Sequence, residues 1–269
     1  MVFSITISIA EVQTDEQIPA EKIEQFVDIY KRIKEQYVDD IGDAESYQTT
    51  YCFLFFPTSI TPESVQKIKF KHLILCEFRD WPEIFHKEIF DFSHMSDTVL
   101  KLSIDKTLSF PFKHMGCLPV PLKKGMYPLI NTWVSRKKYD VSFLGINTFL
   151  GHTHRYFQRE EWLKDVLEDK RINFFGGLIK NPTFPLSDDV ALDKAFQDKV
   201  YVKKPLDRFY YLMKIAASKI SLCPYGHERW TYRHYESILA KSVVLSGDIA
   251  NTSLLVPLPI ETMVIVKDR

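Results

Sequence analysis

The sequence predicts an α/β protein built on parallel sheets and divided into two halves. Three observations predict it. Short apolar runs of strand length, at 51–56, 72–76, 141–144 and 220–223, alternate with longer segments of helical periodicity. The 269 residues are 45% hydrophobic and 26% charged, enough for one large domain or two small ones. Residues 123–138, with Lys123-Lys124-Gly125, Pro128 and Arg136-Lys137-Lys138, have the composition of a linker. The expected division is 1–122, a linker over 123–138, and 139–269.

Residues 3–9 alternate as a strand does. Pro19 opens a helix with Ile23, Phe26, Val27, Tyr30, Ile33 and Tyr37 at helical spacing. Asp39, Asp40 and Asp43 form a solvated turn. Residues 51–56 are a buried strand ended by Pro57, 62–68 a short helix, and 72–76 another buried strand. Ligands of parallel sheets sit beyond the carboxyl ends of the strands. Glu77 and Asp80, which follow this strand, are therefore placed toward a cleft; the competing role for Asp80 is to cap a helix begun by Pro82. A strand is expected at 100–103 and a rigid Pro- and aromatic-rich return loop over 110–122.

In the second half the strand at 141–144 ends in Gly145, and a loop through Asn147 and Gly151 leads to a helix reaching Lys170. That helix turns Trp162, Leu163, Val166 and Leu167 inward. Arg155 and Arg159, one turn apart, share a face and suit an anion at a helix start; two solvated arginines are the alternative. A strand at 172–175 takes Gly176-Gly177 as its turn. Residues 206–217 form a helix packing Phe209, Leu212, Met213 and Ala216. The strand at 220–223 stops at Pro224-Tyr225-Gly226. Thr231 caps a helix with Tyr235, Ile238 and Leu239 on its apolar face, and strands follow at 243–245 and 262–266.

Composition removes several classes. Lys+Arg and Asp+Glu both number 35, so the basic surplus expected of nucleic-acid binders and of acidic-membrane binders is missing, though a local basic patch stays open. Cys52, Cys76, Cys117 and Cys223 are widely spaced and fit buried free thiols of a reducing compartment. Residues 1–10 are apolar but short and meet Glu11 at once, so they fit a strand and not a signal peptide. No apolar run is long enough to span a membrane. There is no P-loop pattern and no G-x-S-x-G elbow.

The stretch Pro224-x-Gly226, then Thr231-x-Arg233-x-x-Glu236, a small-residue turn and the apolar Val243-Val244-Leu245 resembles the donor-sugar half of exostosin-like glycosyltransferases. That resemblance covers about 139–250. It implies a GT-B-like fold, with two Rossmann-like domains facing a central cleft: an acceptor-side domain, then a nucleotide-sugar domain. It implies that Arg233 contacts the diphosphate, with Arg155 or Arg159, and that Glu236 holds the ribose. Gly145 would be the small residue ending the first donor-domain strand. Where the family has Gly in the helix-to-strand turn, this chain has Lys241-Ser242.

The implied reaction moves a sugar from a UDP-sugar to a hydroxyl of an oligosaccharide or glycoprotein, with inversion. Asp80 is the first candidate for general base and Glu77 the second, both by position. Tyr225, Gly226, His227 and Thr231 line the donor loop, where Tyr225 and His227 either pack on the ligand or only on the loop. No Asp-x-Asp triplet occurs, so no obligate metal or other cofactor is expected. His152 and His154 do not share a helix face, which disfavours a metal there. In length the chain resembles short, soluble members encoded by large algal viruses, some of which transfer xylose; a cytoplasmic location follows. Two other functions stay open: a GT-B nucleotide-sugar epimerase, and a glycan-binding protein with a degenerate donor site.

Overall fold

The computed structural model describes residues 4–9, 48–56, 61–66, 72–79, 81–118, 120, 126–147, 157–180, 202, 206–226 and 228–267. The helix expected from Pro19, the acidic turn at 39–43 and the segment 181–199 lie outside them. The protein is mixed α/β with two parallel sheets. The chain divides into two compact units, Met1–Pro121 with Asn251–Pro257, and Leu122–Ala250 with Leu258–Arg269.

Unit 1 holds β1 (Ser4–Ile9), β2 (Gln48–Phe56), β3 (His72–Glu77), β4 (Thr98–Lys101) and β6 (His114–Cys117) in one parallel sheet, in the order β1-β2-β3-β4-β6. β5 (Ile104–Asp105) pairs instead with β11 (Thr252–Ser253), antiparallel. The core is Leu54, Phe56, Leu73, Leu75 and Val99, closed by Ile84, Ile89 and Phe92. α1 (Pro62–Gln66) contributes Val65, and a 3₁₀ turn, Lys87–Phe92, contributes Ile89 and Phe92. Burying each such side chain stabilises by roughly 1.5–3 kcal/mol.

Two expectations change here. The fourth strand lies at Thr98–Lys101, two residues before the expected 100–103. The expected return loop contains β6, whose sequence His-Met-Gly-Cys has no alternation to announce a strand. Its ladder with β4, Val99↔Met115 and Leu100↔Gly116, forms because β4 offers an unpaired edge.

Unit 2 has β7 (Tyr139–Asn147), β8 (Phe174–Lys180), β9 (Ser218–Cys223), β10 (Val243–Gly247) and β12 (Val264–Val266), all parallel, in the order β12-β10-β9-β7-β8. The helices are α2 (Met126–Trp133), α3 (Phe157–Glu168), α4 (Arg208–Ala216) and α5 (Tyr232–Leu239). The right-handed crossover rule, applied to this strand order, assigns the β7-to-β8 step to one face and the later steps to the other. The packing agrees. Leu163 of α3 meets Val141, Phe143, Leu178 and Leu222, with Trp162, Val166 and Leu167 beside it. Tyr127 and Ile130 of α2, Leu212 and Ile215 of α4, and Ala240 form a second cluster. α2 lies inside the expected linker. Its Pro128 falls in the first turn, where the missing N–H costs nothing.

Gly176 and Gly177 are not a turn but the middle of β8, at φ 118° and 145°. A Cβ on Gly176 would sit 1.6 Å from Phe143 O, so the close approach of β8 to β7 requires glycine. α5 keeps Tyr235 on its buried side as expected but adds polar residues to it and turns Leu239 out. Arg233, His234, Glu236 and Ser237 are buried with Tyr235, while Leu239 is exposed. The polar residues go inward because each finds a partner there. Ser237 Oγ donates to Ser221 Oγ at 2.7 Å. Thr231 N donates to His234 Nδ1 at 3.0 Å, and His234 Nε2 pairs with Ser246 Oγ at 2.8 Å. The last strand starts two residues later than the expected 262–266, because Thr262 closes the 3₁₀ turn Ile260–Thr262.

Candidate anion site at the strand-order reversal of unit 2

Numbered from β7, the sheet of unit 2 reads 2-1-3-4-5, and its order reverses between β7 and β9. Ligands of open α/β sheets bind at the carboxyl ends of the strands flanking such a reversal. β9 pairs with β7 only as far as Ser142↔Ser221, while β7 runs on beside β8 to Asn147↔Lys180. Beyond Ser142 and Ser221 the two strands part. The sheet of unit 1 runs in chain order and has no reversal among the described residues.

Sequence-predicted residues collect at this edge. Arg233, in the first turn of α5, is 9% exposed. Its Nη2 donates to Leu144 O, its Nε donates to Tyr211 OH at 3.1 Å, and its guanidinium stacks 4.4 Å from the Phe143 ring centroid. Its Nη1 is buried and has no hydrogen-bond partner among the described residues. Gly145 lies beneath it: a Cβ there would come within 3.1 Å of Arg233 Nη2 and 2.8 Å of Phe143 Cζ. β7 continues two residues past Gly145, so this glycine provides clearance inside a strand and does not end it.

Arg159, in the first turn of α3, is equally buried, and its Nε donates to Tyr225 O at 2.8 Å. Gly226 follows; a Cβ on it would meet Thr231 Cγ2 at 2.8 Å and Arg159 Nη2 at 3.2 Å. Thr231 is the extended N-cap of α5. Tyr225 folds inward. Its ring covers Gly247 and its hydroxyl donates to Asp248 O at 3.0 Å, so it packs the loop and is no open stacking platform. Asp80, Arg155 and His227 lie outside the described residues.

Glu236 departs from its expected role. It is 3% exposed; Oε1 pairs with Arg208 Nη2 at 2.7 Å and Oε2 accepts from Tyr211 OH at 3.1 Å. Both oxygens are engaged within the unit, so the carboxylate does not stand ready for a ribose diol. It closes a relay, Arg233–Tyr211–Glu236–Arg208, in which Tyr211 accepts from one partner and donates to the other. Burial pushes the Tyr211 phenol far above its usual range and keeps its proton in place, though Arg233 opposes the shift. The relay carries two guanidiniums and one carboxylate, a surplus of positive charge. Ser142, Phe143, Tyr211, Lys214 and Arg233 line a recess too narrow for a water molecule.

Glu77 also takes a different part. In unit 1 it has no exposed surface, pairs with the equally buried Lys101 at 2.6 Å, and accepts from the His86 amide at 2.8 Å. A base already salt-bridged and sealed from solvent has no route to an acceptor hydroxyl. The sequence did not mark Arg208, Tyr211 or Phe143, because α4 and β7 meet α5 only through the tertiary fold. Asp207, inside the helix expected from 206, is instead its N-cap; its carboxylate accepts from Phe209 N and Tyr210 N.

Among the described residues no three His, Cys, Asp or Glu side chains could hold a metal ion, and no helix is long and apolar enough to cross a membrane. No family profile matches the sequence, and no curated protein does. Among solved structures, a UDP-forming alpha,alpha-trehalose-phosphate synthase from Burkholderia vietnamiensis superposes with a TM-score of 0.44 at 8% identity, over 87% of this chain and 67% of that one. A likeness this slight bears on neither substrate nor mechanism.

Proposed function

We propose that the chain is a glycosyltransferase of GT-B type that takes a nucleotide-diphosphate sugar, UDP-linked, at the β7/β9 edge of unit 2. One observation carries this: Arg233, nine-tenths buried at the strand-order reversal, holds its Nη1 without a partner among the described residues, inside a relay of net positive charge. The Pro224-x-Gly226 and Thr231-x-Arg233-x-x-Glu236 pattern supports the same site.

Binding exchanges the neutral Leu144 carbonyl at Arg233 for phosphate oxygens, and the gain is the attraction of opposite charges at a buried site of low dielectric. The exchange opens the narrow recess. Arg159 stands across the reversal as the second cation. Glu236 serves as a positioning residue, holding Tyr211 and through it the plane of Arg233. In transfer, the anomeric C–O bond breaks and its electron pair leaves with the diphosphate, whose charge the guanidiniums stabilise without a metal. The acceptor hydroxyl attacks the opposite face and gives its proton to a general base, Asp80 being the candidate. Xylose is the donor sugar that the resemblance favours.

The internal pairing of Glu236 favours one other function, a glycan-binding protein whose donor site has closed. A ligand that binds only the native state raises its stability. UDP is therefore expected to raise Tm, and UDP-sugars to be hydrolysed slowly without acceptor. No shift with any nucleotide would leave the glycan-binding function.

A further inference from the structure

α2 is apolar on both sides. Tyr127 and Ile130 are buried against Leu212, Ile215 and Ala216. The outer side carries Leu129, 45% exposed, and Trp133, 59% exposed, one turn apart on the same face. Phe209 meets Trp133 edge-on at 5.6 Å and continues to Tyr210, 58% exposed. At another margin Asn131 Nδ2 donates to Leu239 O, which brings exposed Leu239 alongside.

Cations rim this patch. Arg136, Lys137 and Lys138 follow the helix directly and are exposed, and residues 126–139 contain no acid in a chain of zero net charge. Lys137 Nζ bridges Ala216 O and Lys241 O, both at 2.7 Å, fixing a further exposed lysine beside the others. A surface helix of a soluble domain normally turns its polar side to water. This one turns out Leu and Trp and gathers positive charge at its edge.

We infer that this face docks on an anionic lipid bilayer. Trp133 and Leu129 enter the headgroup boundary, where amphipathic aromatic rings are favoured. Arg136, Lys138 and Lys241 lay their aliphatic stems along the apolar face and offer their charged ends to lipid phosphates. The contact is small and therefore reversible. None of the residues at the strand-order reversal takes part, so docking stands or falls independently of nucleotide binding.

The test is co-sedimentation of the full chain with phosphatidylcholine vesicles, with and without added phosphatidylglycerol. The expected result is pelleting with the anionic vesicles alone, lost as salt rises. Leu129→Ser with Trp133→Ser should weaken partition at least about tenfold. Arg136→Glu with Lys138→Glu, which leaves the packed side of α2 untouched, should do the same through charge. Absence of pelleting, equal pelleting with neutral vesicles, or pelleting unchanged in the charge-reversed variant would overturn the inference. So would a dimer that depends on Trp133 in sedimentation velocity, or binding to soluble polyglutamate as tight as to vesicles.

Discussion

Lys101 and Glu77 have no exposed surface, and each would be an isolated buried charge without the other. Lys101 Nζ also donates to Glu83 O, and the His86 amide donates to Glu77, so the pair is held by hydrogen bonds as well as by charge. Breaking such a pair from one side costs about 3–5 kcal/mol, whereas replacing both members with apolar groups is often neutral. Lys101→Met should therefore lower the urea-unfolding free energy by about that amount, and Glu77→Leu added to it should recover most of the loss. Equal destabilisation in the single and double variants would mean that packing, not unpaired charge, sets the cost. The sequence showed Glu77 at the carboxyl end of a strand, which was right. It could not show that Lys101, twenty-four residues on, lies beside it in the neighbouring strand. Position along a chain locates a carboxylate; only the register locates its partner.

α5 shows the same limit at the scale of an element. Its start at Thr231 and its length were legible from the cap and the apolar spacing, but its buried side was not. Hydrophobic periodicity assigns Leu239 inward, and the fold instead buries Arg233, His234, Glu236 and Ser237 because α4, β9 and β10 supply partners for them. The helix ends in a Schellman arrangement, with Ser242 N donating to Ser237 O at 2.9 Å and Lys241 N to Ile238 O at 3.0 Å. Lys241 takes the left-handed conformation there, φ 57°, which costs a non-glycine residue about 1 kcal/mol. The departure noticed in the sequence, lysine in place of glycine, is thus met by strain and not by a different turn. Lys241→Gly should raise stability by about 1 kcal/mol in chemical denaturation; a loss would mean that the lysine stem contributes more than the turn costs.

His234 gives α5 a pH dependence. Burial holds the imidazole down to about 4 in the folded protein, against 6.5 for the free group. The folded ring is neutral and the unfolded ring takes a proton first. Stability is full above pH 6.5 and falls on acidification through to about pH 4, by about 3 kcal/mol from this group. His234→Gln keeps an acceptor at a position where capping boxes favour Gln and removes the titration. Its unfolding free energy should change less between pH 7 and pH 5 than the parent's; an identical slope would assign the pH dependence elsewhere.

Across the whole molecule, the two sheets differ in a way that matters for function. Unit 1 adds strands in chain order, and unit 2 reverses order between β7 and β9. Most strands were legible, because buried parallel strands are continuous apolar runs. β6 was not, having no apolar alternation, and neither was the pairing of β11 with β5, which joins segments well over a hundred residues apart. The strand order itself is set by packing and crossover handedness, and so the reversal emerged only with the fold. Arg233, Arg159, Gly145 and Gly226, picked out from local pattern, fall at that reversal, while the partners that orient Arg233 come from elsewhere in the chain.

The most direct test of the central claim is calorimetric titration of UDP into the parent chain and into Arg233→Ala and Arg233→Lys, each first shown to be folded by circular dichroism. Loss of a charge-assisted bond should cost about 1.5–3 kcal/mol in Arg233→Ala, roughly ten- to a hundredfold in Kd. Arg233→Lys should recover only part of it, since an ammonium lacks the planar fork. Equal UDP affinity in all three proteins, or none in the parent, would contradict an anion site at the β7/β9 edge.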